Sequence, residues 1–168
     1  NPPEGEPPAP ELFAAIVPRP LSPRQLSLSL RMAGQSPEKI KGRVDAESWS
    51  IEREKLEKAS EGIARQLLIP DAGFQIPVTE ALWFSNNLSL QKDLLSSSSD
   101  RLVGYLKPLE SDDETVTAAF VSILNRTPEK EEKEAIQKYL SKRETRREEG
   151  LKQVVWALMA TPEFRFNH

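Results

Sequence analysis

The chain has no cysteine among its 168 residues, and this absence removes several kinds of site at once. Disulfides, thiolate nucleophiles, zinc–thiolate sites and haem attachment through a Cys-x-x-Cys-His motif all need cysteine. Glycine is scarce as well. The seven glycines do not cluster, so the sequence has no glycine-rich loop for phosphate or dinucleotide binding. We therefore expect no cofactor within this chain.

Excess positive charge and long apolar runs are also lacking. The net charge is −3, whereas nucleic-acid binding needs a basic surface that neutralises phosphates. The densest basic cluster, within 142–149, alternates with glutamates and is typical of a solvated helix face. No apolar stretch approaches the length of a membrane span. The sequence therefore predicts neither nucleic-acid binding nor membrane insertion.

Proline is plentiful but unevenly placed, with seven of the fourteen prolines in residues 1–20. Proline fixes φ and removes a backbone donor, so residues 1–18 are predicted to be a mostly extended Pro-rich linker. A small apolar patch at 11–17 can form one turn that docks on the body of the protein. Its apolar residues are Leu12, Phe13, Ile16 and Val17.

The first strong helix pattern follows the linker. Ser22, Pro23 and Gln25 make a capping box with proline at the first helical position. The next residues alternate leucine and serine as a strand would, but Leu26, Leu30 and Ala33 also share one helical stripe before Gly34. The cap favours a helix here.

Helical spacing of apolar residues continues to the end of the chain. Residues 35–48 are expected to be an irregular connection and 96–99 a serine turn. Further helices are predicted over 50–68, from Thr79, over 101–107 after a cap by Asp100, and beginning near Ser111, Thr127 and Glu144. The apolar residues that share one side of a helix are Leu56, Ala59, Ile63 and Leu67 in the first, Ala135, Ile136, Tyr139 and Leu140 in the one from Thr127, and Leu151, Val154, Val155 and Leu158 in the last. The fold class is therefore all-α: an irregular bundle of six or seven helices. We predict a single domain over 19–168, with 19–95 and 100–168 as its alternative division into subdomains.

The sequence gives only weak indications of a catalytic or metal site. The carboxylate pairs at 112–113, 131–132 and 148–149 are adjacent in sequence, and neighbours on a helix point about 100° apart instead of facing each other across a cleft. His168 is the only histidine and cannot by itself make a three-ligand metal site. Its two interpretations are a side chain at the bundle surface or an axial haem ligand to a neighbouring domain.

Two aromatic residues are candidates for an exposed patch. Trp49 lies in polar surroundings and Phe74 stands beside Gly73 in a predicted loop, whereas Trp83 and Phe84 lie in an apolar helical stretch and are expected in the core. Trp49, Phe74 and His168 are therefore the predicted ligand or partner surface, and no catalytic or metal residue is predicted.

Four segments resemble one protein family, at residues 19–26, 79–87, 118–129 and 156–168. They read Arg-Pro-Leu-Ser-Pro-Arg-Gln-Leu, Thr-Glu-Ala-Leu-Trp-Phe-Ser-Asn-Asn, Ala-Ala-Phe-Val-Ser-Ile-Leu-Asn-Arg-Thr-Pro-Glu, and Trp-Ala-Leu through Glu-Phe-Arg-Phe-Asn-His. Their order is similar to the C-terminal domain of unknown function in exported planctomycete proteins that often also carry cytochrome-c-like domains.

The resemblance implies an exported protein of the periplasm or cell envelope, with haem only on other domains. Its partners would be other domains of the same parent protein or an envelope protein. We expect a non-catalytic accessory or protein-interaction domain. The alternative is a polysaccharide-binding or polysaccharide-degrading module, and a third hypothesis is an electron-transfer partner that places His168 or Tyr105 near a haem edge.

Overall fold

The computed structural model describes residues 19–40, 45–67 and 86–167, and within these ranges the chain is helical. The predicted all-α bundle is confirmed, with six described helices of seven residues or more. The helices are α1 (Pro23–Ala33), α2 (Pro37–Ile40), α3 (Ala46–Ala64), α4 (Leu88–Leu94), α5 (Leu102–Leu106), α6 (Asp112–Leu124), α7 (Lys130–Ser141), α8 (Arg147–Met159) and α9 (Pro162–Arg165). Outside these ranges lie the predicted linker, the start of the helix predicted from Thr79 with Trp83 and Phe84, and the residues Phe74 and His168.

The capping box predicted for α1 is present. Ser22 Oγ accepts from the Gln25 N–H at 3.3 Å, and Gln25 Oε1 accepts from the Ser22 N–H at 2.9 Å. These bonds satisfy amides that the first helical turn leaves free. Leu26, Leu30 and Ala33 are buried on one stripe, so the helix prediction for the alternating segment is confirmed.

The predicted irregular connection over 35–48 is wrong at two places. Pro37–Ile40 forms the short helix α2, and α3 already begins at Ala46. Asp45 explains the early start, because its Oδ1 accepts from the Ser48 N–H at 2.7 Å. The buried stripe of α3 differs as well, since Ala59 is exposed and Ser60 is buried.

The serine turn packs tightly against α5. A Cβ added at Gly104 would lie 2.0 Å from the Ser98 carbonyl oxygen, so only glycine fits there. The predicted cap of α5 by Asp100 is wrong: Arg101 holds the N-cap position, and Asp100 Oδ1 accepts from the Ser98 hydroxyl at 2.7 Å. The side chain of Asp100 therefore stabilises the turn.

The last three long helices follow the predicted order, but α7 is less buried than expected. Of its four predicted core residues, Leu140 is buried, Ile136 and Tyr139 are half-buried, and Ala135 is exposed. Asn125 ends α6 in the left-handed conformation with φ 55°, a conformation that asparagine tolerates. The turn brings α7 back against α6.

Apolar side chains from α1 and from α3 through α9 share one core. Leu30, Leu94 and Leu102 are fully buried, and burial of each leucine contributes about 1.5–3 kcal/mol. The entry and exit of the bundle lie together, because β1 (Arg19–Pro20) pairs antiparallel with β2 (Phe166–Asn167). The Leu21 N–H extends this ladder by donating to the Arg165 carbonyl at 2.8 Å.

Candidate functional site

One of the three predicted surface residues falls in the described part of the chain. Trp49 lies in the first turn of α3 and is 38% exposed, and Ile51 two residues later is 50% exposed. Phe74 and His168 lie outside the described ranges, so a patch joining them to Trp49 stays a prediction. Tyr105 of the haem-edge hypothesis is half-buried in α5.

A largely apolar groove of about 510 Å³ runs between α7 and α8. It exists because α7 leaves part of its apolar side uncovered. Ile136 and Tyr139 are half-buried on one wall, and Val154 and Leu158 of α8 are each 6% exposed on the other. Ala135, Gln153 and Ala157 complete the lining.

A second groove, of about 400 Å³, lies on the other side of α8, towards α4. Trp156 lines it and is half-buried. The lining is more polar than in the first groove. It comprises Gln91, Lys92, Leu95, Ser96, Glu149, Lys152, Gln153 and Trp156.

The exposed side of α8 forms a ridge between the two grooves, because Gln153 lines both. Gln153, Trp156 and Ala157 stand three and four positions apart and therefore share one helical face. We call these three residues the α8 ridge. Gln153 and Ala157 are exposed, so a partner that contacts the ridge also reaches the grooves beside it.

Tyr139 is held in place at the rim of the α7–α8 groove. Its hydroxyl donates to Gln153 Oε1, and the guanidinium of Arg143 lies 3.9 Å from the centre of its ring. A cation over an aromatic face is attracted by the ring quadrupole. Both contacts restrict the ring before any partner arrives, which lowers the entropy cost of binding.

Ion pairs fix the start of α8 against α5 and α6. Arg147 donates to Asp112 Oδ1 at 2.6 Å and to the Leu109 carbonyl at 3.3 Å. The ammonium groups of Lys107 and Lys152 donate to Glu148 and hold the pKa of its carboxyl at about 2. The ridge therefore belongs to a helix with a defined position.

Arg126 ties the joint between α6 and α7 to α9. Its guanidinium donates to both carboxylate oxygens of Glu132, each at 2.8 Å, and to Glu163 at 2.6 and 2.9 Å. It also lies 5.1 Å from the centre of the Phe120 ring. Arg126 lowers the pKa of the Glu132 carboxyl to about 2, so that group stays ionised at neutral pH and acts as an acceptor.

The described ranges contain neither a cluster of metal ligands nor a helix suited to crossing a bilayer. Across 19–40, 45–67 and 86–167, no three histidine, aspartate or glutamate side chains come together as metal ligands. Among the helices described there, none combines the length and apolar composition that crossing a bilayer requires.

No family model, no curated protein and no solved structure matches this chain. The resemblance of the four segments therefore stays an expectation. The structure adds a role for the segment at 118–129. Arg126 of this segment lies at the joint between α6 and α7 and donates to the carboxylates of Glu132 and Glu163. Sequence reasoning did not select Arg126 or the α8 ridge as surface features. Trp156 is the single aromatic residue of α8 and was the available indication of the ridge.

Proposed function

We propose that this chain is a non-catalytic protein-interaction domain and that the α8 ridge with its two grooves is its binding surface. The observation that carries the proposal is the apolar α7–α8 groove beside half-buried Tyr139 and Trp156. Tyrosine and tryptophan are the residue types in which binding energy concentrates at protein interfaces.

The electrostatics of Glu132 and Glu148 fit a structural role better than general acid catalysis. General acid catalysis needs a carboxyl whose pKa lies near the working pH. Glu132 and Glu148 instead have pKa values of about 2, because basic side chains donate hydrogen bonds to them. These carboxylates stabilise the bundle that presents the ridge.

The proposed setting follows from the resemblance. The domain would belong to an exported, cytochrome-associated multidomain protein of the periplasm or cell envelope, with haem on other domains. The partner is then another domain of the same parent protein or an envelope protein. An apolar segment with a donor or acceptor for Gln153 has the chemistry to cover the ridge and one groove.

The direct test is binding between this chain and the separately purified remaining domains of its parent protein. Ala157→Glu places a charge at the edge of the apolar groove and should weaken binding by about tenfold or more, because the carboxylate loses its water on association. Ala59→Glu is the matched control, since Ala59 is an exposed helical alanine on α3. Absence of association at high micromolar concentration, or equal effects of the two variants, would contradict the proposal.

A polysaccharide-binding module is the second candidate, and the exposure of Trp49 favours it. An exposed indole ring can stack on a sugar face, and 38% of Trp49 is accessible. Binding to a panel of envelope polysaccharides that Trp49→Ala abolishes and Ala157→Glu leaves unchanged would select this function. If the chain binds none of the polysaccharides in the panel, this second function is contradicted.

A further inference from the structure

Basic side chains gather at the end of α7, beside the apolar α7–α8 groove. Residues 138–147 contain five basic residues and one acid, Glu144. One of the five, Arg147, pairs with Asp112 at 2.6 Å. In the described part of the chain, the other four make no ion pair with a carboxylate. They are Lys138, Lys142, Arg143 and Arg146.

The two glutamates that follow this stretch in the sequence have their places elsewhere. Glu148 accepts from Lys107 at 2.8 Å and from Lys152 at 2.7 Å. Glu149 lines the groove on the other side of α8. Glu144 is thus the one acid of 138–147 against an excess of positive charge, although the whole chain has a net charge of −3.

Arg143 is fixed at the rim of the groove. Its guanidinium lies 3.9 Å from the centre of the Tyr139 ring, and Tyr139 lines the groove. Its aliphatic stem crosses Gly150 of α8, where an added Cβ would lie 3.6 Å from Arg143 Cδ. A guanidinium stacked on a ring still presents N–H donors along its edge, in the geometry that suits a carboxylate. Because no carboxylate in the described ranges pairs with Arg143, this edge is open to an acceptor from a partner.

We propose that the segment bound in the α7–α8 groove carries an aspartate or glutamate whose carboxylate pairs with Arg143. This inference rests on the proposed binding function of the α8 ridge and adds the charge of the partner. The apolar part of the segment lies against Ile136 and Leu158, while its carboxylate accepts from the guanidinium edge. Lys142 and Arg146, which are both exposed, attract further acidic residues at longer range. An acidic peptide is favoured over a nucleic acid because most residues that line the groove are apolar.

A random peptide library displayed on phage and selected on the full chain tests the proposal. The recovered peptides should contain aspartate or glutamate next to apolar residues. Arg143→Gln should weaken their binding by about fivefold or more, because it removes a bidentate charged pair. Lys55→Gln is the matched control and should leave the affinity unchanged, since Lys55 is an exposed cation of α3 outside both groove linings. A circular dichroism melt shows whether each variant still folds.

A double-mutant cycle locates the carboxylate even if Arg143→Gln also disturbs the Tyr139 ring. Replacing the acidic residue of a recovered peptide by its amide should weaken binding to the unmodified chain by a similar factor. The same replacement should have little further effect on binding to the Arg143→Gln variant, because the two groups contact each other. Additive effects of the two changes would overturn the proposal.

Comparison with Ala157→Glu separates this inference from the proposed function. Peptides without an acidic residue, weakened by Ala157→Glu and unaffected by Arg143→Gln, would overturn the carboxylate contact and leave the binding surface in place. Peptides that Ala157→Glu does not weaken, or a library that yields no binder, would contradict the surface itself. Tighter binding of oligodeoxythymidylate than of the peptides would assign the basic residues to phosphates and overturn the inference.

Discussion

Gly104 occupies the position where the serine turn comes closest to α5. Gly104→Ala forces a Cβ to within 2.0 Å of the Ser98 carbonyl oxygen unless the backbone moves. We expect the free energy of unfolding to fall by about 1–3 kcal/mol, the usual cost of overpacking a close contact. Urea unfolding followed by circular dichroism measures this loss.

Gly62 provides the matched control for that experiment. It lies in α3, and a Cβ added there meets no atom within 4 Å. Gly62→Ala should therefore stabilise the protein by about 0.5–1 kcal/mol, because alanine loses less backbone entropy in a helix. Destabilisation by both alanines would show that the close approach at Gly104 is not the cause.

Arg126 is the second residue whose substitution should measurably lower the free energy of unfolding. Arg126→Met keeps much of the side-chain volume over Phe120 but leaves Glu132 and Glu163 without this donor. We expect a loss of about 1–2 kcal/mol, because the guanidinium side chain is only 33% exposed and makes two bidentate contacts. Arg126→Lys should recover less than half, since an ammonium cannot make two bidentate pairs. Full recovery by lysine in a thermal melt would contradict this geometry.

At the scale of helices, caps are the features that sequence predicts best. Ser22 and Gln25 lie three residues apart, and their reciprocal bonds need no contact from elsewhere. Ser22→Ala should therefore reduce stability by about 1 kcal/mol. Ser22→Asp serves as the control. It retains a side-chain acceptor for the Gln25 N–H and should therefore lose little stability. Equal losses for the two variants would mean that the cap does not set the start of α1.

Predictions failed where two neighbouring groups compete for one side chain, or where packing decides which side of a helix is buried. Asp100 is well placed in sequence to cap α5, but the hydroxyl of Ser98 holds its carboxylate. Ser60 lies on the buried side of α3 instead of Ala59, and its hydroxyl donates to the Glu57 carbonyl at 2.8 Å, which satisfies the buried polar group. These outcomes depend on packing and on helix rotation, which residue spacing alone does not determine.

The candidate surface could also be predicted only in part, because residue spacing does not show which helix covers an apolar side. The sequence correctly predicted Val154 and Leu158 as buried residues of α8. It also placed Ile136 and Tyr139 in the core, where the structure leaves them half-buried. The groove exists because Ile136 and Tyr139 are only half-buried. The packing of α7 on α6 decides how much of the apolar side of α7 is covered by α8. Helical periodicity identifies an apolar side but not its partner.

At the scale of the whole molecule, ion pairs make stability depend on pH. The pKa values of Glu132 and Glu148 are lowered from an ordinary 4.5 to about 2 by hydrogen bonds from basic side chains. A carboxyl with a lowered folded-state pKa stabilises the protein above its unfolded-state value and loses that contribution as pH falls towards the folded value. The free energy of unfolding should therefore decline as pH falls from 4.5 to 2.

Glu132→Gln isolates the share that belongs to the Arg126 contact. This variant should be less stable than the unmodified chain at neutral pH, and its stability should decline less steeply over the acid range, because one titrating group is gone. Urea unfolding at several pH values measures both quantities. An identical decline in the two proteins would assign the acid sensitivity to other carboxyls.

The antiparallel pairing of Arg19 with Asn167 has a mechanical consequence. Paired Cα atoms in such a ladder are about 5 Å apart, so the bundle adds almost no length between the chain that enters it and the chain that leaves. Tension applied through those two points pulls the strands apart one pair at a time instead of shearing them together. The ladder is therefore the first part of the bundle to yield under tension, before the helical core is stretched.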